Sequence, residues 1–200
     1  IRAINDDIVF ISMPPSGNGG PEANYVGYGV AIEQLGGIVA RTGYLGDPTP
    51  MKTGINYGDP VAGVHTAGYI MTALMHRRKT GRSQYVDLSQ REAAINWVGE
   101  SVLDYQLDGT EPRQIGNRDA VMAPSGVYRC DGEDSWVALA VGSDAEWQGL
   151  CTTIGREAMA AQYATQAERA EHHDDIDAAI NEWTVTRTAD DAMALLQQAG

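Results

Sequence analysis

The stretch with the most chemical promise is Gly58-Asp59-Pro60-Val61-Ala62-Gly63, which sets one carboxylate at the mouth of a long helix-like run. Asp before Pro suits a helix start, because the carboxylate accepts from free first-turn amides and proline at the first helical position has no donor to leave unpaired. Beyond it Val64, Ala67, Gly68, Met71, Leu74 and Met75 recur at three- and four-residue steps, marking an apolar helical face. Arg77, Arg78 and Lys79 then fall where the helix dipole is negative, and Gly81 supplies a stop. Asp59 is therefore expected to be an ionised carboxylate at a rigid helix start, either a plain cap or a reactive group.

Other residues compete for a chemical role. Gly17-Asn18-Gly19-Gly20 could cradle a phosphate with backbone amides, but the full spacing of a dinucleotide or P-loop fingerprint is absent and a flexible loop explains it as well. His172-His173-Asp174-Asp175 contains metal-ligand types, yet neighbours on a helix point in different directions, so a solvated face is expected and no metal site. Arg77, Arg78, Lys79 and Arg82 could meet phosphates or simply end a helix favourably. His65 has no partner identifiable in the sequence and is expected to be packed or solvent-facing. Cys130 and Cys151 are far apart and are expected to be reduced core thiols.

The elements that must position these groups can be read in order. With 200 residues, 43% of them hydrophobic, the chain can bury a real core in one large or two small domains. A net charge of −13 argues against a nucleic-acid partner held through phosphates. Its apolar runs are too short to span a membrane and no signal-peptide pattern opens it, so a soluble, cytoplasmic protein is expected. The chain opens on Ile1, close before a strand-like run, and ends on a helical pattern, so both ends are expected to be cuts within a longer protein.

Ile8 to Ser12 reads as a buried strand, Pro14 to Pro21 as a loop, and Tyr28 to Val39 as a helix that Gly36-Gly37 packs closely or breaks. Tyr44 to Tyr57 is an irregular connection into Asp59. Tyr85 to Ser89 alternates as a strand does, and Ser89-x-x-Glu92 is a capping box before a helix through Leu103. Asp108 to Pro112 ends that helix and marks a domain boundary, giving domains 1–112 and 113–200. In the second, Gly126 to Cys130 and Trp136 to Val141 flank a turn and form a hairpin. Ser143-x-x-Glu146 opens a helix, Ile176, Ile180 and Trp183 share a face, and Thr188-x-x-Asp191 opens a last helix, so this half is a small α+β unit.

Taken together, Gly58-Asp59-Pro60-Val61-Ala62-Gly63, the run from Ala73 through Arg77-Arg78-Lys79-Thr80-Gly81-Arg82 to Gln84, and Tyr85-Val86-Asp87-Leu88-Ser89 resemble the class III CoA-transferases, the CaiB/BaiF or formyl-CoA transferase-like family. Gly116-Asn117-Arg118, Ala123 to Arg129 and Trp136 to Val141 look like that family's small domain. The resemblance implies an α/β fold: part of a Rossmann-like large domain over 1–112, then a small α+β domain, incomplete at its C-terminus, over 113–200. It implies that Asp59 is the nucleophile, attacking an acyl-CoA thioester and passing through an aspartyl-CoA thioester to a carboxylic acid acceptor. CoA is then a substrate, with no further cofactor and no metal, and the intact protein is an interlocked homodimer. Arg78, Arg82 and Tyr28 are candidate contacts for CoA.

The resemblance also admits two other readings. One is an α-methylacyl-CoA racemase, whose histidine partner would fall in Gly27-Tyr28-Gly29; tyrosine stands there, and a phenol, titrating near pH ~10, replaces an imidazole poorly at neutral pH. The other is a non-catalytic acyl-CoA-binding protein in which Asp59 merely caps. The segment from Gly116 to Gly126 lacks the run of glycines that closes over the intermediate in some family members, so no lid role is assigned to it. Most of the family's CoA-binding half lies outside these residues, so the 200-residue chain alone is expected to be inactive or unstable.

Overall fold

Two short runs form the only strands of the first half. β1 (Phe10–Ser12) pairs in parallel with β2 (Tyr85–Asp87), in the register Phe10 to Tyr85 and Ser12 to Asp87. The stacked rings of Phe10 and Tyr85, 5.5 Å apart, close one end of the pair. A parallel pair requires a crossover, and here it carries two helices. A computed structural model describes the whole chain, residues 1–200, and divides it into two units, Ile1–Gln114 and Ile115–Gly200.

In the first unit α1 spans Gly29–Leu35, and the helix expected to reach Val39 stops at Gly36-Gly37 before a single 3-10 turn, Ile38–Ala40. Both parts of that expectation hold. Gly37 takes φ 84°, which favours glycine, and a β-carbon on Gly36 would fall 2.9 Å from the Ile32 carbonyl and 3.1 Å from Ala94 Cβ. α2 runs Gly58–Thr80 and ends, as its sequence predicts, on Gly81 at φ 68°.

The apolar face read on α2 is not the face that is covered. Val61, Ala62 and Ala73 are buried, whereas Val64 (74% exposed), Met71 (61%) and Met75 (66%) face outward. α3 (Gln90–Ile95) and α4 (Gly99–Asp108) replace the single helix expected behind Ser89. The Asn96 amide bonds back to the carbonyls of Glu92 (3.2 Å) and Ala93 (3.4 Å), and a 3-10 turn follows over Asn96–Val98. Two small clusters make the core: Ile32, Ile38, Ala94 and Val98, and Val61, Ala62, Leu88 and Ala93. The half-buried Tyr57 packs against both.

The second unit is built on the antiparallel hairpin β3 (Ser125–Arg129) and β4 (Trp136–Ala140), with Tyr128 opposite Val137. Five helices follow: α5 (Asp144–Thr153), α6 (Glu157–Gln162), α7 (Gln166–Glu171), α8 (His173–Thr184) and α9 (Ala189–Ala199). Ser143 and Thr188 cap α5 and α9 as their sequences predict, accepting from the amides of Glu146 and Asp191 at 3.2 Å each. The Glu146 carboxylate reaches Gly142 N at 2.7 Å rather than Ser143, so the box expected there closes one residue early. One cluster, including Tyr128, Val137, Trp147, Leu150, Cys151, Ile176, Ile180 and Trp183, fills the interior.

The solvated reading of His172-His173-Asp174-Asp175 holds for only part of it. His173 is 3% exposed, with Nε2 accepting Ser125 N–H at 3.2 Å. Beside it Asp177 takes bonds from Tyr128 Oη (2.7 Å) and Arg118 Nη2 (2.8 Å), and Arg118 also binds Asp174. Burial is the first cause that pushes the His173 imidazole below its ordinary value. No helix in the chain is long and apolar enough to cross a membrane.

Candidate active site

Asp59 lies in the first turn of α2, but it caps nothing. Tyr57 is the N-cap, already in helical conformation at φ −57° and ψ −29°, and Val61 N bonds its carbonyl at 3.0 Å. The helix thus begins before Asp59. Pro60 falls third in the helix rather than first, still among positions whose amides have no intrahelical acceptor. The missing cap comes from elsewhere: the Tyr57 amide donates to a carboxylate oxygen of Glu33, on α1.

Asp59 is left exposed and takes part in no side-chain hydrogen bond or ion pair, so both oxygens are free to react. Its surroundings are set by close backbone approach. A β-carbon on Gly29 would fall 2.3 Å from Asn56 Cβ and 2.7 Å from Asp59 Oδ2, and one on Gly58 would fall 2.4 Å from Ile32 Cγ2. Glycine at both positions lets the starts of α1 and α2 meet, with the carboxylate lying over Gly29. Asp59 is thereby set as an unshielded carboxylate on a rigid turn, which suits attack on an electrophilic carbon.

The other candidates separate. Tyr28, 80% exposed, is the residue before Gly29 at the start of α1, next in sequence to the glycine that meets Asp59. Arg78 and Arg82 are exposed near the far end of α2; nineteen residues at about 1.5 Å each put Arg78 roughly 28 Å along the axis from Asp59. Arg77 is engaged by Asp7, bonding its carbonyl at 2.8 Å. His65 is partly buried, its Nδ1 unpartnered, and about 9 Å farther along the helix than Asp59. An open cleft of about 600 Å³ runs along α2 past Met13, Thr66, Ile70, Leu74 and Arg77, and Asp59 does not line it.

The glycine loop is neither free nor set up for a phosphate. Asn18 N lies 2.9 and 3.1 Å from the Asp87 carboxylate oxygens, and Asn18 Nδ2 is within 2.9 Å of Ser12 Oγ, Tyr85 Oη and Asp87 Oδ1. A resident carboxylate already takes the amide at the loop's centre, and the loop locks the ends of β1 and β2. Neither the Glu33 contact nor the close approach of Gly29 to Asp59 is marked by a motif in the sequence. A signal existed, since Tyr57 is a poor cap and a helix beginning beside it must find an acceptor elsewhere.

A sequence profile of CoA-transferase family III matches residues 1–200. The chain belongs to CoA-transferase family III. Among curated relatives of this family III chain, a succinyl-CoA–D-citramalate CoA-transferase of Chloroflexus aurantiacus is 30% identical over all of the chain and half of its own length. An acetyl-CoA:oxalate CoA-transferase of Acetobacter aceti is 28% identical over 87% of the chain and 43% of its own length. The chain therefore spans about half the length of the curated relatives it matches. A solved CaiB/BaiF family protein from Brucella suis superposes over the whole chain and 52% of its own, with TM-score 0.89 and 27% identity. The chain thus has an α/β fold shared with a solved protein of the CaiB/BaiF family.

Proposed function

We propose that the intact protein moves CoA between carboxylic acids through covalent catalysis at Asp59. An Asp59 oxygen adds to the acyl-CoA carbonyl; the C–S bond breaks, CoA thiolate leaves, and a mixed anhydride remains on the enzyme. The thiolate then attacks the aspartyl carbonyl carbon, the bond from that carbon to the bridging oxygen breaks, and the donor acid departs as its carboxylate, carrying that oxygen. An aspartyl-CoA thioester is left. The acceptor carboxylate reverses both steps, taking the CoA as a new thioester and restoring Asp59. A carboxylate attacks thioesters poorly, and splitting one exchange into activated steps is what the covalent route contributes.

The observation that carries this reading is the Asp59 carboxylate itself: exposed, unpaired, and held on the first turn of α2 in a family III chain. Donor and acceptor acids come from the relatives only as classes, an acyl-CoA and a small carboxylate. Two copies joined as a homodimer complete the proposal for the intact protein. The test is to mix the intact protein with succinyl-CoA, acetyl-CoA or formyl-CoA, quench with borohydride, and search by mass spectrometry for Asp59 reduced to the alcohol, as an aspartyl thioester would be. Modification at Asp59 supports the reading. Exchange of an acyl α-proton without modification would instead indicate a racemase, and binding with neither would indicate a non-catalytic protein.

A further inference from the structure

The start of α2 is held from α1, by the same face that makes room for Asp59. Gly29 and Glu33 are four residues apart and so lie one above the other on that helix. Gly29 leaves the space beside Asp59 Oδ2, and Glu33 accepts the Tyr57 amide. Thr53 Oγ1 lies 3.1 and 3.3 Å from the two Glu33 oxygens, its single proton shared between them and the Ile55 carbonyl. Glu33 is 0% exposed and forms no ion pair. Burying a carboxylate without a cation is costly, and a serine or aspartate at position 57 would have capped the helix without it. Tyr57 has no such side chain to offer, so the buried Glu33 carboxylate takes the role of acceptor at this turn.

That role follows from what Tyr57 does. Its ring is packed against both hydrophobic clusters and lies 5.5 Å from the Trp97 ring, and its carbonyl accepts the first bond of α2 from Val61. With ring and carbonyl already committed, the amide is the last freedom of the first turn, and Glu33 removes it. We propose that Glu33 is a positioning residue that sets the direction in which Asp59, two residues past Tyr57, presents its oxygens. This rests on Asp59 being the nucleophile. Glu33 itself touches no substrate.

The test compares two conservative variants of the intact protein in the borohydride capture assay, run at short times with succinyl-CoA, acetyl-CoA and formyl-CoA. Glu33→Gln keeps the reach and an acceptor oxygen but loses the charge; Glu33→Asp keeps the charge but is one methylene short. If the contact acts by geometry, Glu33→Gln modifies Asp59 within about threefold of the unsubstituted rate. Glu33→Asp is slower by about 100-fold, the scale expected of a displaced nucleophile. The donor concentration giving half the maximal rate stays within about threefold in both, because binding is not the step affected. Rates are taken per folded molecule, from circular dichroism, so that lost fold is not counted as lost aim. Equal rates for the two variants, a slower Glu33→Gln, or a deficit that vanishes per folded molecule would each overturn the assignment of Glu33. Absence of capture at Asp59 from all three donors in the unsubstituted protein would overturn the reading of Asp59, and this inference with it.

Discussion

The two units are made by different rules. Residues 115–200 bury thirteen hydrophobic residues in one cluster, and α5, α7 and α9 begin on their own caps, Ser143, Thr165 and Thr188. Residues 1–114 hold two clusters of four, leave the side of α2 bearing Val64, Met71 and Met75 bare, and cap that helix from a residue 24 positions away. Local chemistry suffices for the caps at Ser143, Thr165 and Thr188. The second arrangement depends on contacts remote in sequence, and the exposed Asp59 carboxylate sits in it. The teaching is that a site can be recognisable from its own few residues while its geometry is set by others that look ordinary.

The sharpest break in the comparison comes from Asp59→Asn in the intact protein. Transfer between acyl-CoA and acid should fall by on the order of 1000-fold or more in a steady-state assay. Because the side chain caps nothing, the melting temperature should move by less than about 3 °C. Turnover within about tenfold of the unsubstituted protein would remove Asp59 from the mechanism.

Next in size is the difference in self-sufficiency. Residues 115–200, expressed alone, should show one cooperative urea transition, and residues 1–114 alone should not, having too little buried apolar surface to offset the entropy of ordering. Coincident fluorescence and circular-dichroism transitions from the 1–114 piece would contradict this.

Point changes refine the same contrast. Ile176→Ala, in the large cluster, should cost about 4 kcal/mol, and Ile32→Ala, in a cluster of four that can close around the loss, about 2 kcal/mol, both read from denaturant midpoints. Reversed costs would mean that the smaller cluster is the more rigid.

The smallest effect is one of pH. Burial lowers the His173 value in the folded state, so the unfolded chain binds the extra proton first; stability is complete above about pH 6.5 and declines as pH falls below it, until the lowered folded value is reached. The slope cannot exceed about 1.4 kcal/mol per pH unit for one proton. Asp174, held below its usual range by its bond from Arg118, adds a loss of the same sign only at lower pH, below about 3.8. Urea midpoints for residues 115–200 at pH 7.5 and 5.5 check the sign, and His173→Gln should flatten the difference.

What could be read in the sequence was what depends on near neighbours. The hairpin at 125–140, the caps at Ser143 and Thr188, and the stop at Gly81 are decided within four residues, and all are present. Thr165-x-x-Glu168 had the same signature and closes a full capping box, which the reading passed over. Asp59 stood out because of Gly58 and Pro60 beside it, yet its bond pattern was misread because Glu33 answers to Tyr57 across an irregular connection. His173 looked solvated for the same reason: Ser125, which donates to it, and Arg118, which binds the neighbouring Asp177, are about 50 positions away. On α2 the three-and-four spacing gave the helix correctly but not which side is covered, because periodicity carries no record of what packs against it.

The methionines on the bare side of α2 have a further consequence. Met71 and Met75 are unbranched and polarizable, so they settle into new rotamers at little cost and can match a variety of contours. A surface laid against that side can change its own residues over time without losing its seat, whereas the turn bearing Asp59, pinned by glycines and a buried carboxylate, has no such tolerance. One helix thus joins a forgiving flank to an exacting tip.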